Sequence, residues 1–139
     1  MKKIFLIATF IFCGISATKA QEETFSLTVY VSKLKSNDGS LLVGLYNREA
    51  SFLKKPFKSA VVKVENKKSV VIFKNVPKGT YAVSFVHDAN DNNKMDTNFF
   101  GIPKEDYGCS NNAKGFVGPP KYEDAKFSLE ENKTIEIKM

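Results

Sequence analysis

The sequence predicts an all-β domain, a single antiparallel β-sandwich of about seven short strands interrupted by one long ordered loop. Three observations carry that expectation. Apolar residues alternate with a period of two in several short segments, the signature of half-buried strands. Asn, Asp, Gly and Pro clusters punctuate the chain between those segments. No segment keeps a helical period long enough for a helix of ordinary length.

The first twenty of the 139 residues stand apart. Met1-Lys2-Lys3 is a short basic opening, Ile4 to Ile15 is an almost unbroken apolar run, and small residues follow to Ala20. That layout is a cleaved secretory signal, and the apolar run is too short to span a bilayer comfortably. Cleavage after Ala20, with Ala17 as the weaker site, leaves Gln21 as the mature terminus and no transmembrane segment behind it. A lipid-modified Cys13 is disfavoured because the bulky Ile11 and Phe12 precede it. Losing Lys2, Lys3 and Lys19 lowers the formal net charge from +6 to +3. A balance so mild, with Arg48 the only arginine, argues against a nucleic-acid partner, which calls for clustered Arg and Lys. Residues 21–139 form one domain, large enough to bury about two-thirds of its unfolded surface. After cleavage Cys109 is the only cysteine, so an internal disulfide is excluded.

Thr24 to Ser32 alternates, with Phe25, Leu27, Val29 and Val31 on one side. Ser36-Asn37-Asp38-Gly39-Ser40 has turn composition, and Leu41 to Asn47 returns as a second strand, so these two read as a hairpin. Arg48 to Lys58 breaks the period, and Pro56 limits it to a connection with one helical turn. Its Lys54, Lys55 and Lys58 read as a solvated rim. Ser59 to Glu65 and Ser69 to Phe73 supply strands around Asn66-Lys67-Lys68, and Pro77 and Gly79 mark a turn into the strand Tyr81 to Val86. After the long loop, residues 87–125, Lys126 to Leu129 and Thr134 to Met139 close the sandwich. The unit of strand, Val-Pro-Lys-Gly-Thr turn and strand resembles that of transthyretin-like and carboxypeptidase-regulatory-like sandwiches, which implies a Greek-key, transthyretin- or immunoglobulin-like architecture. A fold of that kind does not specify an activity.

Within the loop, Asp88, Asn90, Asn92 and Asp96 occupy positions 1, 3, 5 and 9 of a D-x-N-x-N-x-x-x-D run, with Lys94 at position 7. Alternate oxygen-bearing side chains on a curled loop converge on one point, and the Lys94 main-chain carbonyl extends the arc, as in the front half of a calcium loop. Asn93 stands where an EF-hand has Gly, and Phe99 where it has the bidentate Glu. Asn tolerates the left-handed conformation, but the loss of Glu removes the strongest ligand, leaving calcium affinity of about 10⁻⁴ to 10⁻³ M. Glu105 or Asp106 is positioned in sequence to fold back as a further ligand. In the competing account these side chains only make Asx-turns and cap their own backbone.

His87 is the only histidine. Beside Asp88 it suggests a catalytic pair, and Cys109 and Ser110 can be written as nucleophiles, but no nucleophile-elbow or papain-like context surrounds either. One histidine does not assemble a zinc site. Phe99, Phe100, Tyr107, Phe116 and Tyr122 load the rest of the loop with aromatics. Packing into a satellite core is the favoured account, since an ordered loop must bury something to offset its entropy. The alternative is a ligand surface made by His87, Phe99, Phe100, Tyr107 and Tyr122.

The run His-Asp-x-Asn-x-Asn-x-x-x-Asp-x-Asn, followed by Phe-Gly-Ile-Pro-Lys-Glu, Tyr-Gly, Ser-Asn-Asn, Gly-Pro-Pro and Glu-Asp-Ala, resembles a family of small secreted bacterial proteins known only as a domain of unknown function. The resemblance spans about residues 25–139. It implies export and a β-rich domain, with no established activity. The chain departs from that family at Asp106, where Gly is usual, and at Cys109, where Phe is usual.

The expected function is an exported, periplasmic or extracellular, non-catalytic module whose loop is ordered by calcium and presents a surface to carbohydrate, peptide or an envelope protein. The alternatives are a hydrolase-type enzyme using His87 and Asp88 and a purely structural envelope-interaction protein.

Overall fold

A computed structural model describes residues 20–139; the expected signal segment, residues 1–20, lies outside the described residues except for Ala20. The domain is an all-β sandwich of two sheets. In chain order the strands are β1 (Thr24–Ser32), β2 (Ser40–Tyr46), β3 (Lys58–Lys63), β4 (Ser69–Pro77), β5 (Gly79–Asp88), β6 (Tyr107–Cys109), β7 (Phe127–Leu129) and β8 (Lys133–Lys138), with one α-helical turn, α1, at Tyr122–Ala125 and 3-10 turns at Glu49–Ser51 and Ser110–Asn112. The first sheet has the order β4-β1-β8 and the second β3-β2-β5-β6, with β7 also on β5.

Alternation places the strand faces as the sequence predicts. Leu27, Val29 and Val31 of β1 turn inward against Leu41, Val43 and Leu45 of β2 and Tyr81, Val83 and Phe85 of β5, closing one core between the sheets. Each such side chain removed from water contributes about 1.5–3 kcal/mol. The connectivity differs from expectation. β1 and β2 do not form a hairpin, because β1 pairs with β4 and β8 while β2 pairs with β3 and β5. Hydrophobic period states which face a residue takes, but not which strand lies beside it. The β1–β8 pair is parallel, so the sandwich is not wholly antiparallel. The Pro77–Gly79 turn is a corner between sheets, fastened by a hydrogen bond from the Tyr81 hydroxyl to the Pro77 carbonyl at 2.7 Å. β4 carries a bulge near Asn75, whose φ of +54° fits the residue surplus opposite Phe25 and Leu27.

Two features position the loop. β5 runs to Asp88, so His87 and Asp88 lie on a strand, held by pairing with Leu41 and Ser40 of β2. The free edge of β5 is then shared, with β6 against Ser84–Val86 and β7 against Gly79–Tyr81. Residues 110–126 leave that edge and return to it, laying Tyr122 and Ala125 on the outer face of the second sheet. There they meet Tyr46, Phe52, Ala82 and Cys109 in a second, smaller core. No helix among the described residues is long and apolar enough to cross a membrane.

Candidate functional site

Asp88 is the fixed point of the loop. It is buried, and its carboxylate accepts the backbone N–H of Asn92 at 3.1 Å and of Asn93 at 2.7 Å. These bonds curl the chain back over the strand end. Asn93, in the position where an EF-hand uses Gly, adopts a left-handed φ of +62°, as Asn does more readily than most residues. Asp96 closes the curl from the other side. Its two carboxylate oxygens accept the side-chain amides of Asn90 at 2.6 Å and Asn92 at 2.8 Å, and those hydrogen bonds hold its carboxyl below the usual aspartate range. Asn90 and Asn92 in turn accept the backbone N–H of Asn92 and Lys94 through Oδ1, as Asx-turns. The side chains of Asn90, Asn92 and Asp96 are therefore joined directly, and the Asp88 carboxylate closes the ring through the Asn92 backbone N–H.

The surroundings brace it. Glu105 folds back, its carboxylate accepting the Asp96 backbone N–H at 3.0 Å, whereas Asp106 turns away to pair with Lys35 at 2.6 Å. Asp91, which the D-x-N pattern leaves between ligand positions, ties the loop to the sheet through Ser40 at 2.6 Å and Lys63 at 2.9 Å. Those contacts, the Ser40 hydroxyl first, lower its pKa. Gly39 lies close beneath. A Cβ there would fall 1.9 Å from the Asp88 carbonyl oxygen, and its φ is +67°, so only glycine fits where the turn into β2 crosses the strand end.

His87 and Asp88 point to opposite faces of β5, as neighbours on a strand do. The imidazole enters the sandwich and hydrogen-bonds the Asp38 carbonyl through Nε2 at 2.8 Å. Burial pushes the Cys109 thiol up to about 11, so it is protonated at neutral pH. Ser110 is also interior; its hydroxyl accepts the Val83 N–H at 2.9 Å and donates to the Ala125 carbonyl at 2.5 Å. Asn111 and Asn112, both left-handed, continue the knot. The Asn111 amide binds the carbonyls of Asp124 and Lys126, and the Asn112 oxygen accepts the Lys138 N–H of β8. The Ser-Asn-Asn run is thus a clamp joining β5, α1, Lys126 and β8.

Residues 29–137 match the model of a family described as an uncharacterized protein conserved in bacteria, DUF2141. The chain belongs to this family. No curated protein and no solved structure matches the DUF2141 chain.

The aromatic half of the DUF2141 loop divides in an unexpected way. Tyr122 packs inside, its ring 5.6 Å from Phe52 at a steep angle, and His87 is interior, so neither belongs to a ligand surface. Helix α1 faces Tyr122 into the second core, and strand parity sends His87 inward. Phe99, Phe100 and Tyr107 are exposed, as is Phe116; the satellite core therefore forms around Tyr122 without them. Thr97 and Pro103 pair across a small finger. At its base Asn98 accepts the N–H groups of Phe100 and Ile102 on Oδ1. Beside the finger lies a groove of about 590 Å³ over Tyr46 of β2 and residues 84–86 of β5, walled by Leu53, Met95, Ile102, Tyr107 and Pro119 among others.

Proposed function

We propose that this chain is an exported, non-catalytic β-sandwich module whose loop from Asp88 to Asp96 is ordered by calcium and presents a binding surface. The observation that supports this reading is the ring of Asp88, Asn90, Asn92 and Asp96. Two carboxylates and two side-chain amides from alternate residues, followed by the Lys94 carbonyl, are the hard oxygen donors that calcium takes. Among the described residues no group of three or more His, Cys, Asp and Glu is assembled to hold a metal, so the donor set depends on the asparagine oxygens. Without an ion, the side-chain amide N–H groups of Asn92 and Asn90 stabilise the Asp96 carboxylate by hydrogen bonds. With an ion, the amides turn their oxygens inward, and the cation takes the place of those donors.

The low formal charge of the donor set places affinity at about 10⁻⁴ to 10⁻³ M, which suits a compartment outside the cytosol. Thermal melts in calcium, magnesium and chelator test the reading. At a calcium concentration about ten times Kd, mass action adds about 1.4 kcal/mol to the folded state, a rise of about 5 °C for a domain of this size. Asp88→Ala and Asp96→Asn remove the rise; Asp96→Asn is isosteric and only half-buried, and a melting temperature in chelator equal to that of wild type separates its loss of response from a loss of fold. Thr28→Ala on β1 keeps it. An unchanged melting temperature at millimolar calcium overturns the reading.

A further inference from the structure

Phe99, Phe100 and Val117 are 97, 82 and 89 % exposed, and Phe116 is fully exposed. Such side chains on a chain with a well-filled core need a partner, because large exposed apolar clusters mark interaction sites. They stand on two loop tips rimming one groove, since Gly101–Pro103 of the first loop and Gly118–Pro119 of the second line it together, with Leu53 from a third segment. We propose that these tips insert into the surface of a phospholipid bilayer bearing anionic headgroups. The inference names the partner of the surface proposed above and rests on that reading.

Charge chooses the partner. The segments 53–58, 97–103 and 113–121 contain no carboxylate, while Lys54, Lys55, Lys94, Lys104, Lys114 and Lys121 lie within or beside them, all exposed. None of these six is in an ion pair among the described residues. Acids neighbouring these segments are engaged elsewhere: Asp91 by Lys63, Asp106 by Lys35, Glu123 by Lys126, Asp96 by two amides and Glu105 by the Asp96 N–H. Apolar tips inside a field of unpaired lysines are the composition of an interfacial lipid anchor, in which apolar burial adds to attraction for anionic lipid.

Shape agrees. The Phe99 and Phe100 rings meet edge to face, with centroids 5.6 Å apart and planes at 87°, so they form a wedge and not the flat platform on which a sugar stacks. Phe and Val also lack a polar end with which to hydrogen-bond a carbohydrate. The finger is already rigid through Asn98, so insertion spends little conformational entropy. The Lys104 N–H also donates to the Asp96 carbonyl at 2.8 Å, so an ion in the ring stiffens the base of the finger.

Vesicle co-sedimentation tests this with the chain from Gln21, since both cores lie between Leu27 and Ile137. Phosphatidylglycerol-containing and pure phosphatidylcholine vesicles are compared in calcium and in chelator. The expected result is binding to the anionic vesicles that weakens with salt, falls about tenfold or more in F99S/F100S, and falls in K104E/K114E on anionic vesicles only. F99S/F100S keeps the wild-type melting temperature because its rings contact little. The proposal is overturned if the wild-type chain ignores anionic vesicles in both conditions, or if F99S/F100S binds as well as wild type. It is also overturned if the tips are covered in a dimer that F99S/F100S dissociates. Vesicle binding without any calcium-dependent rise in melting temperature upholds the lipid surface and overturns the calcium reading alone; the reverse pattern overturns only the lipid surface.

Discussion

Asp96 shows how a single carboxylate joins the curled backbone to the chemistry proposed for it. Its hydrogen bonds from Asn92 and Asn90 lower its folded-state pKa. A depressed carboxylate contributes stability above its unfolded value, about 3.9, and that contribution is lost as pH falls through the lower folded value. The side-chain amide resonances of Asn90 and Asn92 are therefore expected to hold their bound positions to a pH below the ordinary aspartate range and then move together. Movement near pH 4 contradicts the ring. Cys109 behaves oppositely. With its thiol raised to about 11, the neutral form is favoured, so its contribution is complete below the unfolded value and lost as pH climbs from about 9 toward 11. In the chain from Gln21 at neutral pH, alkylation is expected to be slow and to accelerate greatly in denaturant. Rapid native alkylation contradicts a buried thiol.

At the scale of elements, the segment from Ser110 to Ala125 depends on one hydroxyl as much as on apolar contact. Ser110→Ala leaves the Val83 N–H and the Ala125 carbonyl short of a partner in the interior, a cost of about 1–3 kcal/mol. Thermal melts measure the loss, and hydrogen exchange is expected to quicken from residue 110 to 126 before it does in β1 or β2. Uniform exchange across the domain contradicts a local clamp. β1 was legible in the sequence by its clean alternation, and β4 and β5 by apolar runs separated by the turn residues Pro77 and Gly79. β6 was not, since Tyr-Gly-Cys is too short to show a period and owes its extension to the free edge of β5. The same pairing with β2 carried β5 two residues past Val86. Sheet partners were hidden for β1 and β2 because alternation is the same whichever strand lies alongside.

For the whole molecule, the second sheet carries the candidate site along its outer face and the end of β5, and the first sheet closes the main core behind it. The D-x-N-x-N-x-x-x-D spacing was enough to place Asp88, Asn90, Asn92 and Asp96 together, because the spacing itself encodes the curl. Exposure was not legible in the same way: five aromatics in one loop have the same composition whether they pack or protrude. Only the closed finger at Asn98 and the inward turn of α1 separate Phe99 and Phe100 from Tyr122. The central claim is that the ring holds calcium. A crystal structure of the chain from Gln21 grown with millimolar calcium tests it most directly. The account predicts a cation about 2.3–2.6 Å from oxygens of Asp88, Asn90, Asn92 and Asp96, with both amides turned to present oxygen. A ring without a cation, in which the Asn90 and Asn92 amide nitrogens still contact Asp96, would contradict it.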